Sequence, residues 1–380
     1  MTPNAIRLVS IVGARPQFVK LAPVCRAVDR HNQAGQSPID HVIVHTGQHY
    51  DPELSDVFFE ELEIPRADVN LAVGSGAHGR QTGRMLEQFE NHVLESRPDA
   101  LIVYGDTNST IAGALVGAKQ HVLVAHVEAG LRSFNRQMPE EINRIATDHI
   151  SDILYAPTPT AMRLLKGEGL EARSVLSGDV NFDAVLQHAE LARRKSSALQ
   201  SLGLRPKTYA VLTVHRSENI DAGKLIDLLR ALRKVTGPDL QVVFPIHPRT
   251  VALLPVPPEQ FVEVPGLRII RPVGFLDMLQ LIENARMVLT DSGGLQKEAF
   301  FLNTPCITLR SETEWTETVE LGANVLTGME AEAVVAAVRG WLDRPVGACN
   351  FASDAPQAFG EGHAAEFIVD HLMRRLCSGR

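Results

Sequence analysis

The chain has 380 residues, 44% hydrophobic and 22% charged, with 37 basic against 45 acidic side chains for a formal charge of −8. That length exceeds what one hydrophobic core usually organises and implies two domains of roughly 100–200 residues each, while the composition excludes disordered and collagen-like classes. No block of like charges offers a nucleic-acid footprint or a polybasic membrane patch, no apolar stretch approaches the ~20 residues of a membrane span, and the opening MTPNAIRLVSIVGARP lacks a signal-peptide plan, so a cytoplasmic location is expected.

In chain order, IRLVSIV is the first short apolar run, followed by a turn and the helical pattern VKLAPVCRAV. HVIVHTG, ALIVYGD with STIAGALVGAKQ behind it, VLVAHVEAG and ILYAPT continue the alternation. Apolar runs closed by glycine or polar punctuation and followed by helix-like segments predict parallel strands buried on both faces, which is a doubly wound α/β sheet. After VLSGDVNFDA, residues 175 to 184, a helical stretch leads into YAVLTVHR, LQVVFPIH, LRIIRPV, ARMVLTDSGG and PCITLR, a second α/β sheet with different motifs. The join is expected near residue 180. GHAAEFIVDHLMRRL, residues 362 to 376, is amphipathic, and its pattern does not select the domain it packs on. Cys25, Cys306, Cys349 and Cys377 form no CxxC pair and read as small buried or incidental thiols.

Ligands of doubly wound sheets bind beyond the carboxyl ends of the strands, so the polar residues after each apolar run are the site candidates. The first half supplies Arg15 and Lys20 in GARPQFVK, Gln48 and His49 in HTGQHYD, Asp106 in YGDTNST, and the charged stretch HVEAGLRSFNRQMPEEINR. The second supplies His215, Arg216 and Glu218 in TVHRSEN, His247 in PIHP, the run from Asp291 to Gly294 in TDSGGLQKE, and Arg310 in TLRSETEW. Ser292 can cap a helix whose first turn holds Gly293 and Gly294, where bare N–H groups and the helix dipole favour a diphosphate; Glu298 on the same helix can hold ribose hydroxyls. A glycine-rich turn that binds nothing is the plainer reading, and Arg310, His247 and Arg15 at other strand ends weigh against it. GARP lacks the GxGxxG spacing and no GxxxxGK[ST] occurs, so NAD-dependent and P-loop chemistry lose their support. His45 and His49 stand four apart but follow a strand with Gly47 between them, and HExxH is missing, so no metal site is expected.

Asp106 and Glu128 end successive buried strands and should face one crevice, with Glu140 and Arg144 opening the following helix. Neighbouring carboxylates raise a pKa and Arg lowers it, a contrast that separates an acid from a base. Glu141 reads as an anion at a helix N-terminus.

GARPQFVKLAPV, YGDTNSTIAGAL, HVEAGLRS with PEEINR, TVHRSEN, and LTDSGGLQKEA with its following Arg310 occur in the order found in the non-hydrolysing UDP-N-acetylglucosamine 2-epimerases, and over roughly residues 6 to 330 the chain resembles that family. The resemblance implies a glycosyltransferase-B-like pair of Rossmann-like domains, 1–178 and 179–362, with a helix over 363–380 returning to the first, a UDP-sugar in the interdomain cleft, a homodimer and no redox cofactor. It also implies elimination of UDP across C1–C2, a 2-acetamidoglucal intermediate and re-addition of UDP with C2 protonated on the other face, in the service of cell-surface polysaccharide synthesis. Matched position by position, Asp106, Glu128 and Glu140 take the acid/base roles and His215 that of the catalytic-site histidine. Arg15, Lys20, Arg144, Arg216, His247, Ser292, Gly293, Gly294, Glu298 and Arg310 match residues that hold diphosphate, ribose or sugar.

The chain departs from the family pattern at several positions. Ser217 replaces a cation in HRRE, HTGQHYD lacks the Arg of members with a second, allosteric UDP-sugar site, and Met278 stands where an aromatic meets uracil, with Phe275 nearby as a partial substitute. Trp315 replaces Arg and resembles a branch acting on UDP-2,3-diacetamido-2,3-dideoxyglucuronate. A glycosyltransferase of the same architecture is the nearest rival, against which HVEAGLR with PEE favours epimerisation; a non-catalytic nucleotide-sugar sensor would be expected to lose the carboxylates that are present here.

Overall fold

The computed structural model describes residues 5–35, 37–48, 59–214, 222–246, 248–251, 265–348 and 350–378. IRLVSIV forms β1 (Ile6–Val12), buried at every position but Arg7, and ALIVY forms β4 (Ala100–Tyr104), buried throughout. Residues apolar on both faces can only sit inside a sheet covered on both sides. Around this pair lie β2 (Ile39–His45), β3 (Val69–Asn70), β5 (Leu123–Val127), β6 (Ile153–Ala156) and β7 (Ser174–Leu176). The described strands run in the order β3-β2-β1-β4-β5-β6-β7, with each adjacent pair parallel. The order reverses between β1 and β4, which makes their carboxyl ends the switch point where such sheets open a crevice.

A second sheet holds β8 (Tyr209–Thr213), β9 (Gln241–Pro245), β10 (Leu267–Ile270), β11 (Met287–Thr290), β12 (Cys306–Thr308) and β13 (Asn324–Leu326), in the parallel order β10-β9-β8-β11-β12-β13. Its switch point falls between β8 and β11. The chain folds as two compact units, Met1–Ala184 with Pro356–Arg380, and Val185–Ala355. The short strands β3, β7 and β13 add to the strands announced by apolar runs.

Each unit has its own core. In the first, Val9, Ile11, Leu101 and Val103 of the sheet pack with Phe89 and Val93 of the His78–Ser96 helix and Ala114 and Val116 of the Asn108–Lys119 helix. In the second, Tyr209, Val211, Val243 and Val288 pack with Leu281, Ile282 and Ala299. The Ala364–Ser378 helix belongs to the first unit and packs along the Arg15–Gln33 helix. The buried Asp183 carboxylate accepts the first backbone N–H groups of that terminal helix, from Ala364 at 3.1 Å and Ala365 at 2.8 Å. Burial pushes the Asp183 carboxyl up to about 6, against the lowering effect of those two donors. Burial likewise pushes the Cys25 and Cys306 thiols up to about 12, which makes them inert, while Cys377 is exposed and Cys349 lies outside the described residues. Among the described residues no helix is long and apolar enough to cross a membrane.

Candidate active site

At the carboxyl end of β1 the chain turns through Gly13 into the Arg15–Gln33 helix. A Cβ on Gly13 would stand 1.9 Å from Thr46 Oγ1 and 2.4 Å from Ser109 Oγ, so only glycine fits. Gln17, fully buried, folds back so that its Oε1 accepts the N–H groups of Gly13 (2.8 Å) and Ala14 (3.1 Å), while its amide donates to the Tyr104 carbonyl at 3.0 Å. The Gly13 and Ala14 donors of GARP are therefore engaged internally, and the turn is bolted to the end of β4.

The next turn of that helix carries Lys20. Its ammonium lies 2.7 Å from Glu128 Oε1, with the two side chains only 10% and 7% exposed. Glu128 follows β5 and has φ +72°, an unusual backbone for a residue with a side chain. The register that sets Tyr104 opposite Val127 brings residues 105 and 106 beside Glu128, and the Gly105 N–H bonds the Val127 carbonyl at 3.0 Å. Gly105 has φ +63°, and a Cβ there would meet Lys20 Nζ at 3.1 Å and Glu128 Oε1 at 3.4 Å. The ion pair thus occupies the space where a side chain would be.

Asp106 is held from the other side. Arg144, buried on the Pro139–Ile150 helix, reaches Asp106 Oδ2 through Nε at 3.0 Å and Nη2 at 2.9 Å, and Glu141 Oε2 through Nη1 at 2.6 Å. Glu141 does more than occupy a helix N-terminus: it is 1% exposed and accepts from Ser133 N–H (2.9 Å), Ser133 Oγ (3.0 Å) and Phe134 N–H (2.9 Å), fixing the loop after β5. Asn143 adds a bond from its amide to the Asp106 carbonyl at 2.9 Å. Behind this layer His126 donates from Nε2 to the Gly105 carbonyl at 2.8 Å and meets Asp148 through Nδ1 at 2.7 Å. Burial acts to raise the Asp148 carboxyl, but the His126 hydrogen bond and the Arg132 guanidinium at 2.7 Å outweigh it and hold the group below the usual carboxylate range. Glu140 is half-buried and has no hydrogen-bond or ion-pair partner among the described residues.

In the second unit, β11 leads through Asp291 to Ser292, whose Oγ accepts the Leu295 N–H at 3.4 Å and caps the Gly293–Phe301 helix. The absent side chain of Gly293 leaves room next to Trp315: a Cβ there would lie 3.4 Å from the indole Nε1. Lys297, on the same helix and 1% exposed, sits with its ammonium 3.7 Å from the Trp315 ring centroid. Arg310 follows β12 and pairs bidentately with Glu314 at 2.9 Å and 2.9 Å, both side chains almost fully buried. Phe275 starts the Phe275–Asn284 helix with its ring against the buried His188, and Met278 packs against the core formed by Tyr209, Leu281 and their neighbours.

A turn of helix stripped of side chains beside a buried indole suits a diphosphate, and cation-anchored carboxylates at a strand switch point suit proton transfer. The profile of the family described as UDP-N-acetylglucosamine 2-epimerase matches residues 31–373. The chain belongs to that family. It is 46% identical, over 97% of its length and 99% of the relative's, to a UDP-N-acetylglucosamine 2-epimerase homolog of Methanococcus maripaludis. It is 43% identical, over 97% of its length and all of the relative's, to the UDP-2,3-diacetamido-2,3-dideoxy-D-glucuronate 2-epimerase of Pseudomonas aeruginosa. The crystal structure of the Methanocaldococcus jannaschii UDP-GlcNAc 2-epimerase in complex with UDP-GlcNAc and UDP superposes with a TM-score of 0.87 at 42% identity, covering 97% of this chain and 100% of that one. The two parallel sheets with alternating helices, each in its own unit, are the architecture of this family, an isomerase class.

Of the residues marked by the resemblance to UDP-N-acetylglucosamine 2-epimerases, Lys20, Asp106, Glu128 and Arg144 come together at the first unit's switch point, with Arg15, half-buried, at the start of the helix that carries Lys20. Ser292, Gly293, Gly294 and Glu298 share one helix end in the second unit, and Arg310 lies after the next strand. His215, Arg216, His247, His49 and Glu218 lie outside the described residues. Lys297, Gln17 and the loop-fixing role of Glu141 were missed by sequence reasoning. A lysine at helical spacing from Gly293 carried a signal, but nothing near it marks Trp315 as its partner.

Proposed function

We propose that this chain interconverts the C2 epimers of a UDP-2-acetamido sugar, UDP-N-acetylglucosamine and UDP-N-acetylmannosamine, by eliminating UDP and adding it back. The C2–H bond has no adjacent carbonyl to acidify it, so a base must act in concert with a leaving group. A carboxylate takes the C2 proton, the C1–O bond breaks with its electron pair going to UDP, and C1=C2 forms; the return step protonates C2 on the opposite face while a UDP oxygen re-bonds to C1. The observation that carries this reading is the pair of cation-anchored carboxylates, Lys20–Glu128 and Arg144–Asp106, at neighbouring strand ends of one switch point. Two positioned carboxylates can serve two faces of one carbon, and preorganised cations stabilise charge that develops as UDP departs.

In this assignment the first unit performs the proton transfers through Asp106 and Glu128, with Glu140 as a third carboxylate and Arg15 and Lys20 as its substrate-binding cations. The second unit holds the nucleotide: Ser292, Gly293 and Gly294 offer N–H groups to the diphosphate, and Glu298 takes the ribose hydroxyls. Arg310 is locked by Glu314, so its role is to shape the cradle with a fixed charge. His215 as the catalytic-site histidine, with Arg216 and His247 as substrate contacts, completes the site by resemblance. Phe275, its ring packed on His188, is the partial substitute for an aromatic at the uracil. We further propose a cytoplasmic homodimer that serves cell-surface polysaccharide synthesis.

A second reading, the same reaction on UDP-2,3-diacetamido-2,3-dideoxyglucuronate, is favoured by Trp315 and by the 43% identity to the Pseudomonas aeruginosa enzyme of that name. A proton NMR time course with UDP-N-acetylglucosamine in D2O tests both. Deuterium entering C2 together with UDP-N-acetylmannosamine signals supports the first; if they stay absent and the diacetamido-uronate exchanges instead, the second replaces it. No exchange with either sugar refutes epimerisation.

A further inference from the structure

The His126 ring near the end of β5 is fully buried and meets oxygen on both sides: Nε2 donates to the Gly105 carbonyl at 2.8 Å, and Nδ1 lies 2.7 Å from Asp148 Oδ1. The other oxygen of Asp148, a side chain that is also fully buried, accepts the Gly130 N–H at 3.1 Å and the Arg132 guanidinium at 2.7 Å. Arg132 is itself anchored through Glu168, at 2.7 Å and 2.8 Å. One carboxylate thus grips the chain two residues before Glu128 and two residues after it. Between those grips residue 128 has φ +72°, a left-handed backbone that a residue with a side chain keeps only when its surroundings over-determine it. Gly130 takes φ +83° and leaves no space for a Cβ, which would stand 2.7 Å from the Ala161 carbonyl, so the second grip is as fixed as the first. The branch through His126 crosses to the neighbouring strand, because the Gly105 carbonyl it holds belongs to the peptide that enters Asp106. Asp148 also stands four residues after Arg144 on one helix, on the same face, and Arg144 fixes the Asp106 carboxylate. His126 and Asp148 are sealed from solvent, so neither can touch a sugar.

We propose that Asp148 is a positioning residue that, through His126 and Gly130, holds Glu128 in its left-handed backbone and fixes it relative to Asp106. The inference rests on the epimerase reading for its kinetic consequence and deepens that reading: two carboxylates that serve opposite faces of one carbon need a stiff backbone between them. Without the grips residue 128 is free to relax to negative φ, which draws its carboxylate away from Lys20. A single helix then governs both members of the pair, Asp106 through Arg144 and Glu128 through Asp148.

Asp148→Ala removes both grips, whereas Asp148→Asn keeps them, since its oxygen can accept the Gly130 N–H while its amide donates to His126 Nδ1. Crystal structures, C2 deuterium exchange from D2O and UDP calorimetry compare the two variants, in the wild-type and Glu128→Gln backgrounds. In Asp148→Ala, residue 128 is expected at negative φ with the Lys20–Glu128 pair opened. Its turnover should fall about 10²-fold, the cost of roughly 1 Å of misplacement, with KM and UDP affinity within about threefold of wild type. Asp148→Asn should keep the backbone and remain within about tenfold of wild type in turnover. In the Glu128→Gln background the same Asp148→Ala change should cost less than about threefold more, because the group it aims no longer transfers a proton; a residue that merely stabilises the fold would cost the same in both backgrounds. Should Asp148→Ala fail to fold, His126→Phe cuts the Gly105 branch while leaving Asp148 with Gly130 and Arg132, and every comparison is made on it instead. Full additivity with Glu128→Gln, a fall in UDP affinity that matches the fall in turnover, or residue 128 still near φ +72° once the grip is cut overturns the proposal. If the wild type exchanges no C2 hydrogen on any 2-acetamido sugar, it is the epimerase reading that fails, and the crystal structures still decide whether Asp148 holds residue 128.

Discussion

Changing Glu128 to Gln removes one charge from an ion pair whose partners are 2.7 Å apart and 10% and 7% exposed. At an effective dielectric constant of about 20 that separation corresponds to roughly 6 kcal/mol of Coulomb attraction, most of it offsetting the cost of taking both ions out of water. Removing one partner leaves that cost uncompensated at Lys20, which for buried pairs amounts to about 3–5 kcal/mol; the Gln oxygen can still accept from the ammonium, so the expected loss is near 3 kcal/mol. Urea unfolding measures it, and the double variant Lys20→Met/Glu128→Gln should recover part of the loss because no charge remains unpaired. Turnover should fall by about 10²–10⁴, the span of general acid–base catalysis, while the UDP dissociation constant, read by titration calorimetry, stays within about threefold. Turnover of Glu128→Gln within tenfold of wild type would remove Glu128 from proton transfer and leave the Lys20 pair as a structural clamp.

Three further outcomes follow from the geometry. Asp183 has its carboxyl raised to about 6 from an ordinary 3.8, so its contribution to stability is fully present below about 3.8 and is lost as pH rises through 6. Over that window it amounts to roughly 3 kcal/mol, and Asp183→Asn should flatten the difference between unfolding curves at pH 4.5 and 7; an unchanged slope would show that another group is responsible. Gly13→Ala places a methyl 1.9 Å from Thr46 Oγ1 and 2.4 Å from Ser109 Oγ and should cost about 1–3 kcal/mol in urea unfolding, whereas a neutral result would mean that the turn can move. Ser292→Ala removes the cap on the Leu295 N–H and should lower stability by about 1 kcal/mol while also weakening UDP binding; loss of stability with UDP affinity intact would relocate the diphosphate.

Much of the architecture is readable before any coordinates because β1, β4 and β8 are apolar on both faces, a pattern that only a covered parallel sheet explains. The edge strands β3 and β13 are not readable: two or three residues each, with Asn70 and Asn324 among them, are too short to show a period. The same contrast runs through the site. Glu128 stood out because a carboxylate flanked by Val127 and Ala129 needs a reason, yet its partner Lys20 comes from a helix far away in the chain, and no local pattern pairs them. Nothing about a glutamate announces φ +72° either, since the residue types that mark left-handed backbone are Gly, Asn and Asp. Glu141 misled in the opposite sense. Acidic residues in a helix's first turn are so ordinary that the pattern hides one whose oxygens are spent on Ser133, Phe134 and Arg144.

The first unit is made from both ends of the chain, and the second is inserted into it. Synthesis on the ribosome therefore presents the Arg15–Gln33 helix long before the Ala364–Ser378 helix that packs along it has been translated. At about 5–20 residues per second the interval runs to tens of seconds, during which the flank that will meet the terminal helix faces water or a chaperone. The second unit, contiguous between Val185 and Ala355, can complete its sheet in that time. The half of the enzyme that emerges first is thus the half that matures last, and lesions near the carboxyl terminus should injure the proton transfer proposed for the first unit before the nucleotide binding proposed for the second.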